Sequence, residues 1–144
     1  MNYIEIEELY THVKEAELKN IISDNEDGIA GTAIETAIEF AEGKLGKYYD
    51  TDDIFSRSGS NRSKLLVLFI KDIAIWNIIG IENPSIDYDD KKFRYENAIG
   101  WFEAVYNGMK LSKKNFPRIP ETNTEDKAAS SFTFTSNPKR QNYY

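Results

Sequence analysis

The sequence predicts an all-α protein: a small bundle of about four main helices around one buried central helix, followed by an extended C-terminal arm. Three observations carry this reading. Apolar residues recur at three- and four-residue steps in two long segments, the mark of helices with one buried face. Between those segments, residues 62–79 are apolar almost all round, as in a helix covered on several sides. After residue 109 the only aliphatic side chains larger than alanine are Leu111 and Ile119, and three of the four prolines fall there. A stretch so poor in aliphatic residues cannot build its own core. The expected division is a helical body over 1–109 and a basic, aromatic arm over 110–144.

Each element has a local reason. Ile6-Glu7-Glu8-Leu9-Tyr10 opens a short amphipathic segment, a fifth and minor helix, and Leu18 with Ile21-Ile22 continues the apolar pattern. Ser23-Asp24-Asn25-Glu26-Asp27-Gly28 reads as a loop from its turn-forming composition. Thr32, with Glu35 three residues on, is placed to cap a helix whose buried face is Ile34, Ala37, Ile38, Ala41 and Leu45, ending near Gly46 or Tyr48. Asp50 to Asn61 is a polar loop broken by Ile54-Phe55. Ser60 or Asn61 then caps the central helix, which runs from Arg62 to about Ile79. Its β-branched run is also compatible with strands, but about 18 residues without a turn signal favour a helix. Asn83-Pro84 closes it. From Tyr88 to Met109, the residues Tyr95, Ile99, Phe102, Tyr106 and Met109 step by four and three, a stripe that reads as core packing. In the arm, Ser131-Phe132-Thr133-Phe134-Thr135 alternates with the period of a strand.

Composition narrows the chemistry. The 144 residues suit one domain, and with no cysteine there is no thiol nucleophile, disulfide or cysteine-held metal. A single histidine, His12, cannot furnish a multi-histidine metal site; it reads as a surface or capping residue. The N-terminus shows no basic leader, and the apolar stretch from Leu65 to Ile81 is interrupted by Lys71, Asp72 and Asn77. It is shorter than the roughly 20 residues needed to span a bilayer, so no anchor and no membrane partner are expected.

No motif points to an enzyme or a cofactor. Aligning Gly28 with the sixth position of a calcium loop puts Ile34 where a bidentate Glu is required, so a turn is the better reading. Asp52-Asp53 and Asp89-Asp90 are adjacent carboxylates that diverge on either element type. Gly59-Ser60-Asn61-Arg62-Ser63-Lys64 lacks the spacing of a phosphate loop. Lys71 and Asp72 are the notable polar positions, charges within the apolar helix. Two readings stand: a wet edge of the helix, or a buried or subunit-facing ion pair kept only if partnered.

Charge is unevenly placed. Residues 1–109 hold 11 Lys and Arg against 21 Asp and Glu, whereas residues 110–144 hold 7 against 3. An acidic body repels nucleic-acid phosphates. A basic tail is drawn to acidic surfaces such as the body of another copy, unless it is simply solvated.

The order of segments resembles the Mu-type phage head–tail connector family. The likeness covers most of the chain: Tyr3-Ile4 before a Glu-Leu helix, an acidic loop with Gly28 before an Ala/Ile-rich helix, Lys47-Tyr48-Tyr49-Asp50-Thr51 with Ile54-Phe55, then Arg62, Leu65-Leu66 and Asp72-Ile73-Ala74-Ile75-Trp76. It is densest at Arg94-Tyr95-Glu96-Asn97-Ala98-Ile99-Gly100-Trp101-Phe102, with Val105 and Gly108 after it. The ending Ser136-Asn137-Pro138-Lys139-Arg140 is similar to that of the branch found with Bacteroides-type hosts. Ser56-Arg57-Ser58-Gly59-Ser60 stands where many relatives carry a proline-rich stretch.

The resemblance implies a non-enzymatic virion protein of the neck, made in the host cytoplasm. It would form a ring, a dodecamer by family analogy, between the portal and the tail or next neck protein, with double-stranded DNA passing through unbound. Composition fits a mechanism for this. Glu35, Glu39, Glu42, Asp89, Asp90, Glu96 and Glu103 are candidates to face the channel, because a negative lumen does not grip DNA. The arm would dock on a neighbour, with Phe132 and Phe134 in pockets beside an added strand. Asn137 and Pro138 lie in the same contact, Lys139 and Arg140 pair with acids, and Tyr143 anchors it. Two other classes compete: a cytosolic helical adaptor that binds a host or phage protein through the same arm, and a nucleic-acid-binding regulator, which the acidic body disfavours.

Overall fold

A computed structural model describes residues 2–13, 26–82 and 88–120. Within them the chain makes a 3-10 helix at Ile6–Thr11, then α1 (Glu26–Leu45), α2 (Thr51–Ser56), a 3-10 turn at Gly59–Asn61, α3 (Lys64–Glu82) and α4 (Tyr88–Tyr106). Helix α3 packs along both α1 and α4, which meet each other over a shorter stretch, and the N-terminal 3-10 helix lies against α1. The protein is thus an all-α bundle around a buried central helix. Among the described residues no helix is long and apolar enough to cross a membrane.

Apolar spacing explains the core, and it also moves the start of α1. The buried stripe of α1 is Ala30, Ala33, Ile34, Ala37, Ala41 and Leu45, so the helical repeat runs back beyond Ile34. Glu26 to Gly28 of the expected loop are therefore helical, and Thr32 is an exposed interior residue instead of a cap. On α3, Leu66, Ile70, Ala74 and Ile78 are fully buried, with Val67, Ile73, Ile75 and Ile79 close behind. Its cap is Ser63, whose Oγ accepts from the Leu66 N–H at 3.2 Å. Ser60 and Asn61 form the preceding turn, entered through Gly59 at φ +57°, a left-handed conformation that suits glycine. Ile54-Phe55 sits on the short α2, where Asp50 Oδ1 accepts from the Asp53 N–H at 3.1 Å and Ile54 is buried.

The aromatic stripe of α4 is core only in part. Ala98, Phe102 and Val105 are buried, while Tyr106 and Met109 are exposed. The helix stops there: the Gly108 N–H donates to Val105 O and the Met109 N–H to Ala104 O, at 3.0 and 2.9 Å, with Gly108 at φ +113°. This is the paired closure that a left-handed residue makes possible at a helix C-terminus.

Beyond the turn the chain folds back on its own body. The Asp50 N–H donates to Pro117 O at 2.8 Å and the Ile119 N–H to Tyr48 O at 3.1 Å, around an antiparallel bridge between Tyr49 and Arg118. Phe116 is buried, its ring centroid 6.2 Å from Tyr49 and 6.1 Å from Trp101. The Tyr49 hydroxyl accepts from the Leu111 N–H at 3.0 Å and donates to Met109 O at 3.4 Å. The packed body accordingly does not end at residue 109: residues 110–120 belong to it. Residues 121–144, including the expected strand at 131–135, lie outside the described residues.

Removing that hydroxyl tests the latch. Tyr49→Phe should cost about 1–2 kcal/mol of unfolding free energy, the net worth of the hydroxyl's hydrogen bonds to Leu111 and Met109. Amide exchange at Leu111 should quicken while exchange in α3 stays slow.

Candidate functional site

Three polar regions are built on this frame. The first joins the N-terminal segment to α3 and α4. Lys71 and Asp72 are both buried, at 9% and 6% exposure, which settles the two readings against a wet edge. Their partners are not each other. Lys71 Nζ donates to Thr11 Oγ1 at 2.7 Å, and Thr11 Oγ1 in turn donates to Glu8 O at 2.9 Å. Asp72 Oδ1 stands 3.0 Å from His12 Nε2, with both side chains almost fully covered. The geometry there is not that of a hydrogen bond, so the two groups meet as a close, buried polar contact. His12 does cap the 3-10 helix, its N–H donating to Leu9 O at 2.9 Å, but it is not a surface residue. Lys91 Nζ of α4 donates to His12 O at 3.0 Å and ties the third element in.

Beside this junction, Arg62 grips Glu8 with two nitrogens at 2.9 and 3.1 Å and donates to Tyr3 O at 2.6 Å. Burial pushes the Glu8 carboxyl up, but the hydrogen bonds from Arg62 and from the Glu5 N–H outweigh it and hold the group below its ordinary value. Burial pulls the Lys71 ammonium below its ordinary value, against the opposing charge of Glu8.

The second region is acidic. Glu35, Glu39 and Glu42 are exposed and fall at four- and three-residue steps on the α1 face opposite the buried stripe. Among the described residues no ion pair reaches them. Asp89, Glu96 and Glu103 repeat every seven residues and share one exposed stripe of α4. Glu103 is bound by Lys44 of α1 at 2.9 Å. Asp90 turns to the other flank, where Arg94 at 3.0 Å holds its carboxyl below the usual range. The seven acids thus divide among two helix faces and one side flank.

The third region is basic. A cleft of about 710 Å³ opens at the start of α3, lined by Arg57, Arg62, Lys64, Leu65 and Lys114 with Ser60, Asn61 and Asn115. Arg57 binds Asp53 at 2.9 Å and donates to Lys114 O at 3.0 Å. The Lys64 and Lys114 ammonium groups have no partner among the described residues. The segment weighed above as a phosphate loop supplies Ser60 to Lys64 of its lining, while Lys114 and Asn115 reach it only through the fold-back of the chain. Phe132, Phe134, Asn137, Pro138, Lys139, Arg140 and Tyr143 lie outside the described residues.

Among the described residues no group of three or more acidic or histidine side chains is arranged to hold a metal ion. What the arrangement offers is surface charge on a rigid helical frame. No family model, curated protein or solved structure matches the chain. The likeness to phage connectors therefore rests on the order and spacing of segments in the sequence.

Two substitutions examine the junction. His12→Leu removes the polar side chain that faces the buried Asp72 carboxyl and should cost about 1–3 kcal/mol in urea unfolding. Adding Asp72→Leu should restore part of that loss. Glu8→Gln should cost about 1 kcal/mol at neutral pH, a modest figure because the pair is part-exposed. The folded pKa of Glu8 is depressed, so its stabilisation is complete above its ordinary value of 4.5 and fades as pH falls through the lower, folded value. The gap between wild type and Glu8→Gln should therefore narrow in acid.

Proposed function

We propose that this protein is a ring-forming head–tail connector, a structural component of the virion neck that joins the portal to the tail and forms part of the DNA channel. Two things support the reading. One is the ordered set of segments that resembles the Mu-type connectors. The other, the single structural observation that carries most weight, is the exposed acidic stripe of α4 that holds Asp89 and Glu96. Carboxylates held on rigid helices and turned to solvent keep a passing polyanion from sticking, because DNA binding depends on cations that displace counterions.

In this reading the body is the wall of the ring and the arm is its fastener. Residues 110–120 run back over Tyr48 and Tyr49, so the arm of this reading is counted from residue 121. The remaining 24 residues, 121–144, span at most about 80 Å when extended, enough to lie across a neighbour. Phe132 and Phe134 then fill pockets beside an added strand, Lys139 and Arg140 pair with acids of the neighbour, and Tyr143 anchors the end.

Truncation tests the assignment. Deleting residues 128–144 should leave the helical circular-dichroism signal unchanged and abolish ring formation and portal binding. Electron microscopy and mass measurement, of the protein alone and mixed with its portal, read the result; intact rings without the arm overturn the mechanism.

A further inference from the structure

We propose that the basic cleft at the start of α3 receives the acidic outer face of α1 from a second copy of this chain. The contact would be head-to-tail. Its use in a ring rests on the connector reading, but the case for it comes from charge and geometry.

The two surfaces match. Glu35, Glu39 and Glu42 span about 10 Å along α1 at 1.5 Å per residue. The positions four residues after them are Glu39, Gly43 and Gly46, so α1 itself offers them no cation. Thr32, Thr36 and Gly43 stand among them as small, exposed residues, and at Gly43 the space for a side chain is empty to 4 Å. The acids therefore project from a low ridge. In the cleft, Lys64 and Lys114 have no partner among the described residues, and Arg57 and Arg62 bring further positive charge. Leu65, 45% exposed, supplies an apolar wall that the methylene stems of the glutamates can cover.

One molecule cannot bring its own two surfaces together. The acids lie on the α1 face turned away from α3, and Leu65 lies on the α3 face turned away from the packed core. Complementary patches on different sides of one subunit make a heterologous contact, which closes into a ring or extends as a filament. A nucleic-acid occupant fits less well. DNA binding draws on a row of cations, whereas this cleft has two without partners among the described residues, and its Arg57 and Arg62 are already paired with Asp53 and Glu8. The assignment places the α1 acids in the contact between copies and leaves Asp89 and Glu96 of α4 for the lumen.

Charge reversal with rescue decides the matter. The full-length wild type, the triple variant Glu35→Lys/Glu39→Lys/Glu42→Lys and the double variant Lys64→Glu/Lys114→Glu are compared by sedimentation velocity at low and high salt. Circular dichroism confirms that each is folded. The wild type should self-associate at low salt, and each reversed variant alone should associate at least about tenfold more weakly. An equimolar mixture of the two should recover association, since each supplies the surface the other lacks. Wild-type association that neither reversal changes overturns this contact and leaves the connector reading standing. A wild type that stays monomeric even at low salt overturns it too, while the connector reading then turns on assembly with the portal. A wild type that binds a double-stranded DNA oligonucleotide, with the binding lost in Lys64→Glu/Lys114→Glu, makes the cleft a polyanion site and overturns the proposal.

Discussion

Helix α3 has almost no face to give to water, and every other described element is arranged around that fact. Ten of its residues between Leu66 and Ile79 are buried, and two of those are Lys71 and Asp72. Covering the apolar part asks only for more hydrocarbon, which α1, α4 and the ring of Trp101 bring. Covering the two charges with hydrocarbon alone would cost several kcal/mol for each. The N-terminal segment resolves the conflict because it carries polar groups on its covering side: Thr11 for Lys71 and His12 for Asp72. Arg62, just before α3, fastens that segment by holding Glu8 and Tyr3. The same short stretch is therefore both lid and counter-charge for the central helix.

This explains which parts of the fold could be read in the sequence. Periodicity reports on one helix at a time, and it located α1, α3 and α4 and the all-round burial of α3. Polar partnerships between residues about sixty positions apart leave no such trace. Nothing near His12 in the sequence announces Asp72, so a capping role was visible and a buried one was not. Caps shifted for a similar reason: several serines and asparagines precede α3, and packing selects Ser63 from among them. A count of aliphatic residues misses the packing of residues 110–120. One well-placed aromatic, Phe116, with two backbone hydrogen bonds to Tyr48 and Asp50, is enough to bind residues 110–120 to the body. Of the candidate site, the acids on α1 were legible as a helix face from their spacing. The basic cleft was not, since Arg57, Lys64 and Lys114 come together only through the fold-back of the chain.

The charge of the molecule is better described by its local partners than by its total of −6. Lys44 with Glu103, Arg57 with Asp53, Arg62 with Glu8 and Arg94 with Asp90 are matched within the subunit. Lys47 and Arg118 lie over aromatic rings, 4.3 Å from Tyr106 and 5.2 Å from Tyr49. Among the described residues, Glu35, Glu39 and Glu42 have no such partner, and neither do Lys64 and Lys114. Like charges at neighbouring turns of a helix are mildly destabilising, by about 0.2–0.5 kcal/mol per pair. Folding of the single chain gives no reason for that arrangement, whereas a surface turned toward something else does.

The strength of such a contact bears on how a connector could work. Exposed ion pairs at physiological salt contribute at most about 1 kcal/mol each. Two or three of them cannot hold two free copies together against the entropy of association, which is several kcal/mol. Under the proposed reading that weakness is useful, since free subunits stay apart until a template collects them. Once several sit side by side, each new contact forms at high effective concentration, and the last one to close a ring becomes intramolecular. An arm that crosses to the neighbour acts in the same direction by linking subunits through a second, independent surface. Under the same reading, charge would set the register of one wall segment against the next, and burial of the arm's aromatics would supply the strength that charge lacks.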